Sequence, residues 1–307
     1  KTDVQGFFPQ LMNKMYSDRV IYKKKMLEEQ QKLESGDFKN KQEIINNIAK
    51  YNNIQMARKI ALNSSYGSMG NEYFRYYDER LATAITTAGQ LSIRWIEVKV
   101  NDYINTILQT KDQDYIVASD TDSIYVTFDK IVRQTFENRS DTSRDTITNF
   151  LDTIAKEKIQ PFIDECYRDL ASYINAYENK MEMEREVIAD KGIWTAKKRY
   201  ILNVIDSEGV RYAEPQIKVM GIEAVKSSTP YACRERIRDS LKVIVNEDEF
   251  NVNKFIQTFR KEFMELPVES MAFPRSVNGI RKWGDKSTIF KKGTPMHIKG
   301  AIIYNHL

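Results

Sequence analysis

Two aspartates separated by a single residue, Asp120 and Asp122, are the side chains best placed for chemistry in this 307-residue chain. They sit in the run Tyr115-Ile-Val-Ala-Ser-Asp-Thr-Asp-Ser-Ile-Tyr-Val126. Apolar residues lead in (Ile116, Val117) and out (Ile124, Val126), which predicts a β-hairpin carrying both carboxylates at its turn. Side by side, two carboxylates repel, so the arrangement is costly unless a cation neutralises it. Hard oxygen ligands on a short turn suit Mg²⁺, which keeps several waters and takes its remaining ligands from substrate phosphates. Taken alone, the stretch also reads as a solvated turn, because Asp, Thr and Ser all favour turns.

A second group of side chains precedes it. Arg19 and Lys23 are four residues apart on an expected helix and share one face. On the next expected helix Lys59, Asn63 and Tyr66 fall at i, i+4 and i+7, again one face. If the two helices pack antiparallel, three cations, an amide and an aromatic ring converge near the base of a hairpin. Arg binds phosphate bidentately and Lys as a point charge. A nucleoside triphosphate offers phosphates for the cations and a flat base for the tyrosine. Each face separately also reads as an ordinary solvated one.

The elements that must hold these groups are legible in outline. Helical periodicity runs from Phe8 to Glu34, breaks at Ser35-Gly36-Asp37, and resumes from Lys41 to Ser65, a helical hairpin with two long arms. Tyr66-Gly67 and Met69-Gly70 then punctuate the chain. A third helix is expected over Glu79–Leu108 with Ile85, Leu91, Trp95 and Val98 facing the core. After the Asp hairpin come a polar loop, Gln134–Arg144, and a helical stretch, Thr146–Tyr177, interrupted at Pro161. A β-rich region follows over Met181–Gly221, and two helices over Tyr231–Val245 and Val252–Leu266. The fold class is α+β. The chain stops at Leu307 just after a strand-like run and starts on Lys1 rather than Met, so a segment of something larger is expected.

Composition narrows the function classes. The chain is 41% hydrophobic and 29% charged, ordinary for a globular protein. No apolar run is long enough for a membrane span and no signal peptide opens the chain. Cys166 and Cys233 suggest neither a disulfide framework nor a zinc site, which fits a reducing cytosol. His297 and His306, both near the end, make histidine-based catalysis a poor fit. Net charge is only +4, but Arg275–Lys299 holds seven Lys and Arg against the single acid Asp285. Such a stripe can track a phosphate backbone, and reads equally well as a solvated basic loop.

Four motifs, in order, now resemble family B DNA polymerases. Lys59-Ile-Ala-Leu-Asn63-Ser-Ser-Tyr66-Gly67 is similar to that family's fingers motif, and Asp120-Thr-Asp122-Ser123 to its palm motif Tyr-x-Asp-Thr-Asp-Ser. Lys197-Lys198-Arg199-Tyr200 resembles the Lys-x-Tyr-type motif that holds primer–template duplex, and Gly6-x-x-Pro9 leading to Arg19 and Lys23 resembles the first fingers helix. The flanking Phe74-Arg-Tyr-Tyr-Asp78, Ile85-Thr-Thr and Lys226-Ser-Ser-Thr-Pro230 look most like the replicative polymerases of T-even-type bacteriophages.

The resemblance implies a right-hand polymerase fold portion: fingers hairpin over 1–66, palm over 67–221, partial thumb over 222–307. It also implies roles. Arg19, Lys23 and Lys59 would grip the dNTP triphosphate, with Lys59 also protonating the leaving pyrophosphate. Asn63 and Tyr66 would shape the pocket of the nascent base pair. Asp122 would be the main ligand of two Mg²⁺ ions, with Asp120 supporting and Mn²⁺ able to substitute. Glu184 and Glu186 would stand beside the metals as outer acids, or form no more than an acidic strand edge. Lys197, Lys198, Arg199, Tyr200 and Lys226 would contact primer–template DNA without reading sequence.

Three departures qualify that implication. Ala118 stands where the palm motif has tyrosine, and Ser65 replaces a larger apolar residue before Tyr66. Nothing in the chain matches the family's other palm motif, Asp-x-x-Ser-Leu-Tyr-Pro, which supplies the partner aspartate. The expectation is therefore the C-terminal piece of a split or excised polymerase, inactive alone and acting with an N-terminal polypeptide that carries the exonuclease domain and the missing motif. A sliding clamp would engage only through regions absent here. The setting would be the cytoplasm of a bacterial host. Two competing readings are a non-catalytic primer–template binding module left from a polymerase, and a helical scaffold with a chance Asp-Thr-Asp turn.

Overall fold

The computed structural model describes residues 4–285 and 289–306. Lys1, Leu307 and residues 286–288 of the basic stripe lie outside the described residues, as do the side chains of Asp285 and His306. The chain divides into two compact units, Lys1–Lys197 with Leu202–Lys218, and Lys198–Ile201 with Val219–Leu307.

The first unit opens with α1 (Phe7–Ser35) and α2 (Lys41–Met69). Gly36 takes the left-handed conformation at φ 74° and returns its N–H to Lys32 O, a conformation glycine adopts without a Cβ penalty. Asn40 then caps α2, its side chain accepting from the N–H groups of Gln42 and Glu43. The two helices pair along their length: Asp18 meets Arg58 at 4.0 Å, Tyr22 and Tyr51 lie 6.3 Å apart between ring centroids, and Glu29 accepts from Asn47 at 3.3 Å. Gln55 is the one buried residue of α2, and α1 has none. Helix α2 runs past the expected end at Ser65. The hydroxyls of Ser65 and Ser68 donate back to Ala61 O and Ser64 O (2.8 and 2.7 Å), and Gly67 costs a helix only about 1 kcal/mol, so the turn waits until Gly70.

The third helix, α3 (Glu79–Ile107), is capped by Asp78. The expected core face is corrected. Ile85, Leu91 and Val98 are 48%, 38% and 59% exposed, and Trp95 is only partly buried, while Ser92, Ile96, Val100 and Ile104 are buried. The helix carries two apolar stripes, and the one at i, i+4, i+8 from Ile96 is the one that meets β1 (Ile116–Asp120), β2 (Ser123–Val126) and α6 (Gln160–Tyr173). Trp95 Nε1 donates to Cys166 O at 3.0 Å, and Tyr103 stacks on Phe162 at 4.0 Å.

Between them, α4 (Asp129–Phe136) occupies the start of the expected polar loop, because Phe136 is buried in a T-shaped contact with Phe150. Helix α5 (Arg144–Ile154) passes through one π-turn, Ala155–Ile159, into α6, whose first turn holds Pro161, the expected interruption.

Strands β3 (Val187–Ala196), β4 (Arg199–Ser207) and β5 (Val210–Met220) lie side by side in that order. The two-residue turns Lys197-Lys198 and Glu208-Gly209 join them, so neighbours run antiparallel. In the second unit a short 3₁₀ turn, Glu223–Val225, precedes α7 (Tyr231–Asn246) and α8 (Glu249–Glu265). The strand-like end is instead a helix, Met296–His306, started after Pro295 and burying Ile298 and Ile302 one turn apart. The class agrees with the α+β expectation. Among the described residues no helix is long and apolar enough to cross a membrane.

Candidate active site

The Asp turn is built from its entry strand outward. Two asparagines one turn apart on α3 clamp the approach: Asn101 Oδ1 accepts from Tyr115 N (2.8 Å), and Asn105 Nδ2 donates to Gln113 O (2.7 Å) while its Oδ1 accepts from Gln113 N (3.1 Å). β1 and β2 then pair with Asp120 opposite Ser123, leaving Thr121 and Asp122 as the turn. Thr121 is held at φ 59°, a region a β-branched residue enters at a cost of about 1–3 kcal/mol. Hydrogen bonds fix it there: Asp122 N donates to Asp120 O at 2.7 Å, Ser123 Oγ to the same carbonyl at 3.1 Å, and Thr121 Oγ1 to Asp120 Oδ1 at 3.0 Å. Asp120 is half-buried, and Asp122 is exposed with no side-chain hydrogen bond or ion pair among the described residues. Burial in the core beneath pushes the Tyr167 phenol up from its ordinary value, and the charge of Asp122 adds to the effect.

The cationic residues gather on the helical hairpin. The pairs Asp18–Arg58, Tyr22–Tyr51 and Glu29–Asn47 fix the inward faces and the register. Arg19, Lys23, Lys59, Asn63 and Tyr66 all lie roughly 80–140° round from those inward positions, and antiparallel helices turn that rotation to one shared flank. Along the axis, Lys59 stands roughly 4–5 Å from the level of Arg19 towards the base of the hairpin, and Lys23 about 6 Å towards its tip. Asn63 and Tyr66 continue the ladder to the base. Helix geometry therefore puts the five residues on one flank, spread along the axis and not gathered at the base. Arg19 Nε is buried without a hydrogen-bond partner, and Lys59 is exposed with no ion pair among the described residues. Lys23 differs: its Nζ lies 2.7 Å from Glu208 Oε1 in the β4–β5 turn.

The charged residues on the approach to β3 face different ways. Glu184 and Glu186 are exposed, whereas Arg185 between them turns inward to Asp206 and to Asp152 (2.7 Å). Burial pushes Asp152 up, but hydrogen bonds from Lys156 and Arg185 outweigh it and hold the carboxyl below its ordinary value. Glu186 pairs with Lys218 at 3.4 Å. No group of three His, Cys, Asp or Glu side chains that could hold a metal ion occurs among the described residues.

At the β3–β4 turn Lys197 is exposed and Lys198 takes φ 61°. In the second unit the carbonyl of Lys198 sits so close to Gly221 that a Cβ there would stand 2.1 Å from it, and Gly221 itself has φ 65°, so the packing requires glycine. Arg199 and Lys226 both reach Glu223, at 2.6 and 3.0 Å. Hydrogen bonding from Lys226, then its own backbone N–H and the charge of Arg199, lower Glu223 to about 2. Tyr200 is buried.

Residues 1–159 match the family described as DNA polymerase family B. The chain belongs to that family. This family B chain is 36% identical to the DNA-directed DNA polymerase of Enterobacteria phage T4, over 98% of itself and 38% of the phage protein. It is 42% identical to the DNA-directed DNA polymerase of Escherichia phage RB69, over 82% of itself and 28% of that protein. A more distant likeness, 20% over 84% of the chain, is to DNA polymerase 1 of Aeropyrum pernix. The chain spans less than two fifths of the length of these relatives.

Sequence reasoning passed over three residues that pack against the candidate residues or the layer beneath them. Glu208 lies in Ser-Glu-Gly, a turn signal between two strands, but nothing in one dimension says which cation it meets. Arg185 lies between two exposed acids, and nothing local in the sequence says that it turns inward to Asp152 and Asp206. Tyr167 fits the periodicity of α6 with Ile163 and Leu170 and reads as plain core.

Proposed function

We propose that this chain is a fingers, palm and partial-thumb portion of a replicative DNA polymerase, with fingers over 1–66, palm over 67–221 and thumb over 222–307. It adds deoxynucleotides to a primer 3′-hydroxyl under template direction, in the cytoplasm of a bacterial host. The observation that carries this reading is the single flank formed by Arg19, Lys23, Lys59, Asn63 and Tyr66, in the same compact unit as the Asp120–Asp122 turn.

The turn suits a hard divalent cation. Asp122 is exposed and unpaired, and Asp120 is oriented by Thr121, so Mg²⁺ would be held by one or two carboxylates with water and phosphate oxygens completing its shell. Bound there, two such ions would supply activation of the attacking hydroxyl and stabilisation of the leaving oxygen. The chain's own residues do the rest. Arg19, Lys23 and Lys59 hold the triphosphate in line and meet the charge that builds on it, and Lys59 donates a proton to the departing pyrophosphate. Tyr66 and Asn63 bear on the nascent base pair at the base of the hairpin. Lys197, Lys198, Arg199, Tyr200 and Lys226 grip the duplex through its backbone. Glu184 and Glu186 lie exposed at the edge of the same unit as outer acids.

Because two carboxylates without a third are a thin metal site, the chain is expected to act with a polypeptide carrying the second palm aspartate. That same pairing of only two acids favours, as a second reading, a primer–template binding module without catalysis of its own. Primer extension with and without an N-terminal polymerase polypeptide separates the two. Extension only in the mixture, abolished by Asp122→Asn with duplex binding retained, supports the polymerase reading. Salt-dependent duplex binding with no Mg²⁺-dependent triphosphate binding supports the module. Normal extension by Asp122→Asn overturns the metal assignment.

A further inference from the structure

Of the three cations on the hairpin flank, Lys23 alone is already engaged, and its partner is a residue the polymerase motifs do not include. Glu208 Oε1 lies 2.7 Å from Lys23 Nζ, and the two side chains are 23% and 34% exposed. Glu208 is not a mobile surface acid. Its backbone is fixed at φ 53° in the β4–β5 turn, and its N–H donates to Glu186 O at 2.6 Å. The next residue, Gly209, donates its N–H to Asp206 Oδ1 at 3.0 Å. Asp206, only 3% exposed, is in turn held by Arg185 and by Arg211 Nε at 3.2 Å. A second tie runs alongside: Arg211 N donates to Gln31 Oε1 of α1 at 3.1 Å. A braced carboxylate thus meets the hairpin cation farthest from Tyr66.

We infer that Glu208 is a positioning residue that reserves Lys23 for the terminal phosphate of a nucleoside triphosphate. The inference rests on the reading of the flank as a triphosphate site. A nucleoside whose base bears on Tyr66 runs its phosphate chain outward past Lys59 and Arg19, and only the end of a triphosphate comes level with Lys23. That phosphate must take Lys23 from Glu208. A diphosphate ends short and leaves the pair intact. Glu208 therefore weakens binding of triphosphates and leaves diphosphates untouched, and displacing it loosens a tie between α1 and the β4–β5 turn.

The test is binding of a fluorescent deoxynucleoside triphosphate, and of its diphosphate, to the whole chain and its variants, each checked for folding by thermal unfolding. Glu208→Gln is expected to tighten triphosphate binding by about two- to fivefold at low salt, the size a partly exposed ion pair can account for. Diphosphate affinity should not change. Glu208→Asp, one methylene shorter, should fall between Glu and Gln. Lys23→Met should weaken the triphosphate, and in that background Glu208→Gln should have no effect. If Lys23→Met weakens binding while Glu208→Gln changes nothing, or changes both nucleotides alike, the role of Glu208 is overturned and the flank stands. If Lys23→Met and Lys59→Met both leave triphosphate binding unchanged, the flank reading falls and this inference with it.

Discussion

The helical hairpin and the packed layer behind the Asp turn are held together by different physics. In α1 and α2, 29 residues each, only Gln55 is buried, and the polar and ring contacts between the helices include a marginal ion pair, a ring pair, a Lys25–Tyr51 cation–π contact and an amide–carboxylate hydrogen bond beside part-buried side chains. In the layer of α3, α6 and the β1–β2 hairpin, Ile96 and Val100 are fully excluded from solvent and Ile104 very nearly so. A hairpin whose packing is mostly part-buried opens more easily than a fully buried layer. A close-packed layer cannot shift by fractions of an ångström without losing contacts. On the proposed reading, the aspartates that would hold metal sit on the close-packed region, and the cations that would meet and release a triphosphate sit on the more exposed one.

The contrast can be broken by substitution. Ile104→Ala should lower the free energy of unfolding by about 2–5 kcal/mol, whereas Ile60→Ala on the hairpin, 59% exposed, should cost less than about 0.5 kcal/mol, both read by chemical denaturation. Equal effects would mean that the hairpin is as deeply packed as the core. Lys59→Ala should reverse the ranking. It should weaken triphosphate binding by about tenfold, as loss of a charge-assisted hydrogen bond does, while leaving the unfolding midpoint unchanged. Asn40→Ala should cost about 1 kcal/mol by removing the α2 cap, and amide exchange should place the loss in the hairpin and not in α3.

Acid should act least, and on the packed units. Asp152 and Glu223 both have folded values below their unfolded ones. The stability they add is complete above the ordinary carboxylate range and is lost as pH falls through the depressed values, for Glu223 from about 4.5 to about 2. A thermal-melt series down to pH 2 should show a decline from Asp152 that Arg185→Met reduces. Glu223, whose side chain is 46% exposed, should add little.

Much of the fold was legible because periodicity and punctuation are local. Gly36 and Asn40 announce the hairpin loop, and the apolar runs flanking Asp120 and Asp122 announce β1 and β2. What failed depended on partners. α3 carries two apolar stripes, and periodicity cannot say which one finds a neighbour, so Ile85, Leu91 and Val98 looked as good as Ile96 and Val100. α4 was hidden because the burial of Phe136 rests on Phe150, fourteen residues away. The shared flank of the cations was legible because antiparallel packing follows from a short loop. Glu208 was not, since an ion pair across 185 residues of chain leaves no spacing to read.

The sequence by itself determined the residue types and the local geometry that carry chemistry: two carboxylates at a two-residue turn, cations at i and i+4, and the order of motifs that places the chain in its polymerase family. Those properties depend on neighbours within a few residues, and short-range sterics and hydrogen bonding settle them. Tertiary structure alone decided which stripe of α3 is core, that Arg185 turns inward between Glu184 and Glu186, and that Lys23 already has a carboxylate partner. Each depends on surfaces far apart in the chain, chosen by the total area buried and the charges left to neutralise once the elements have met.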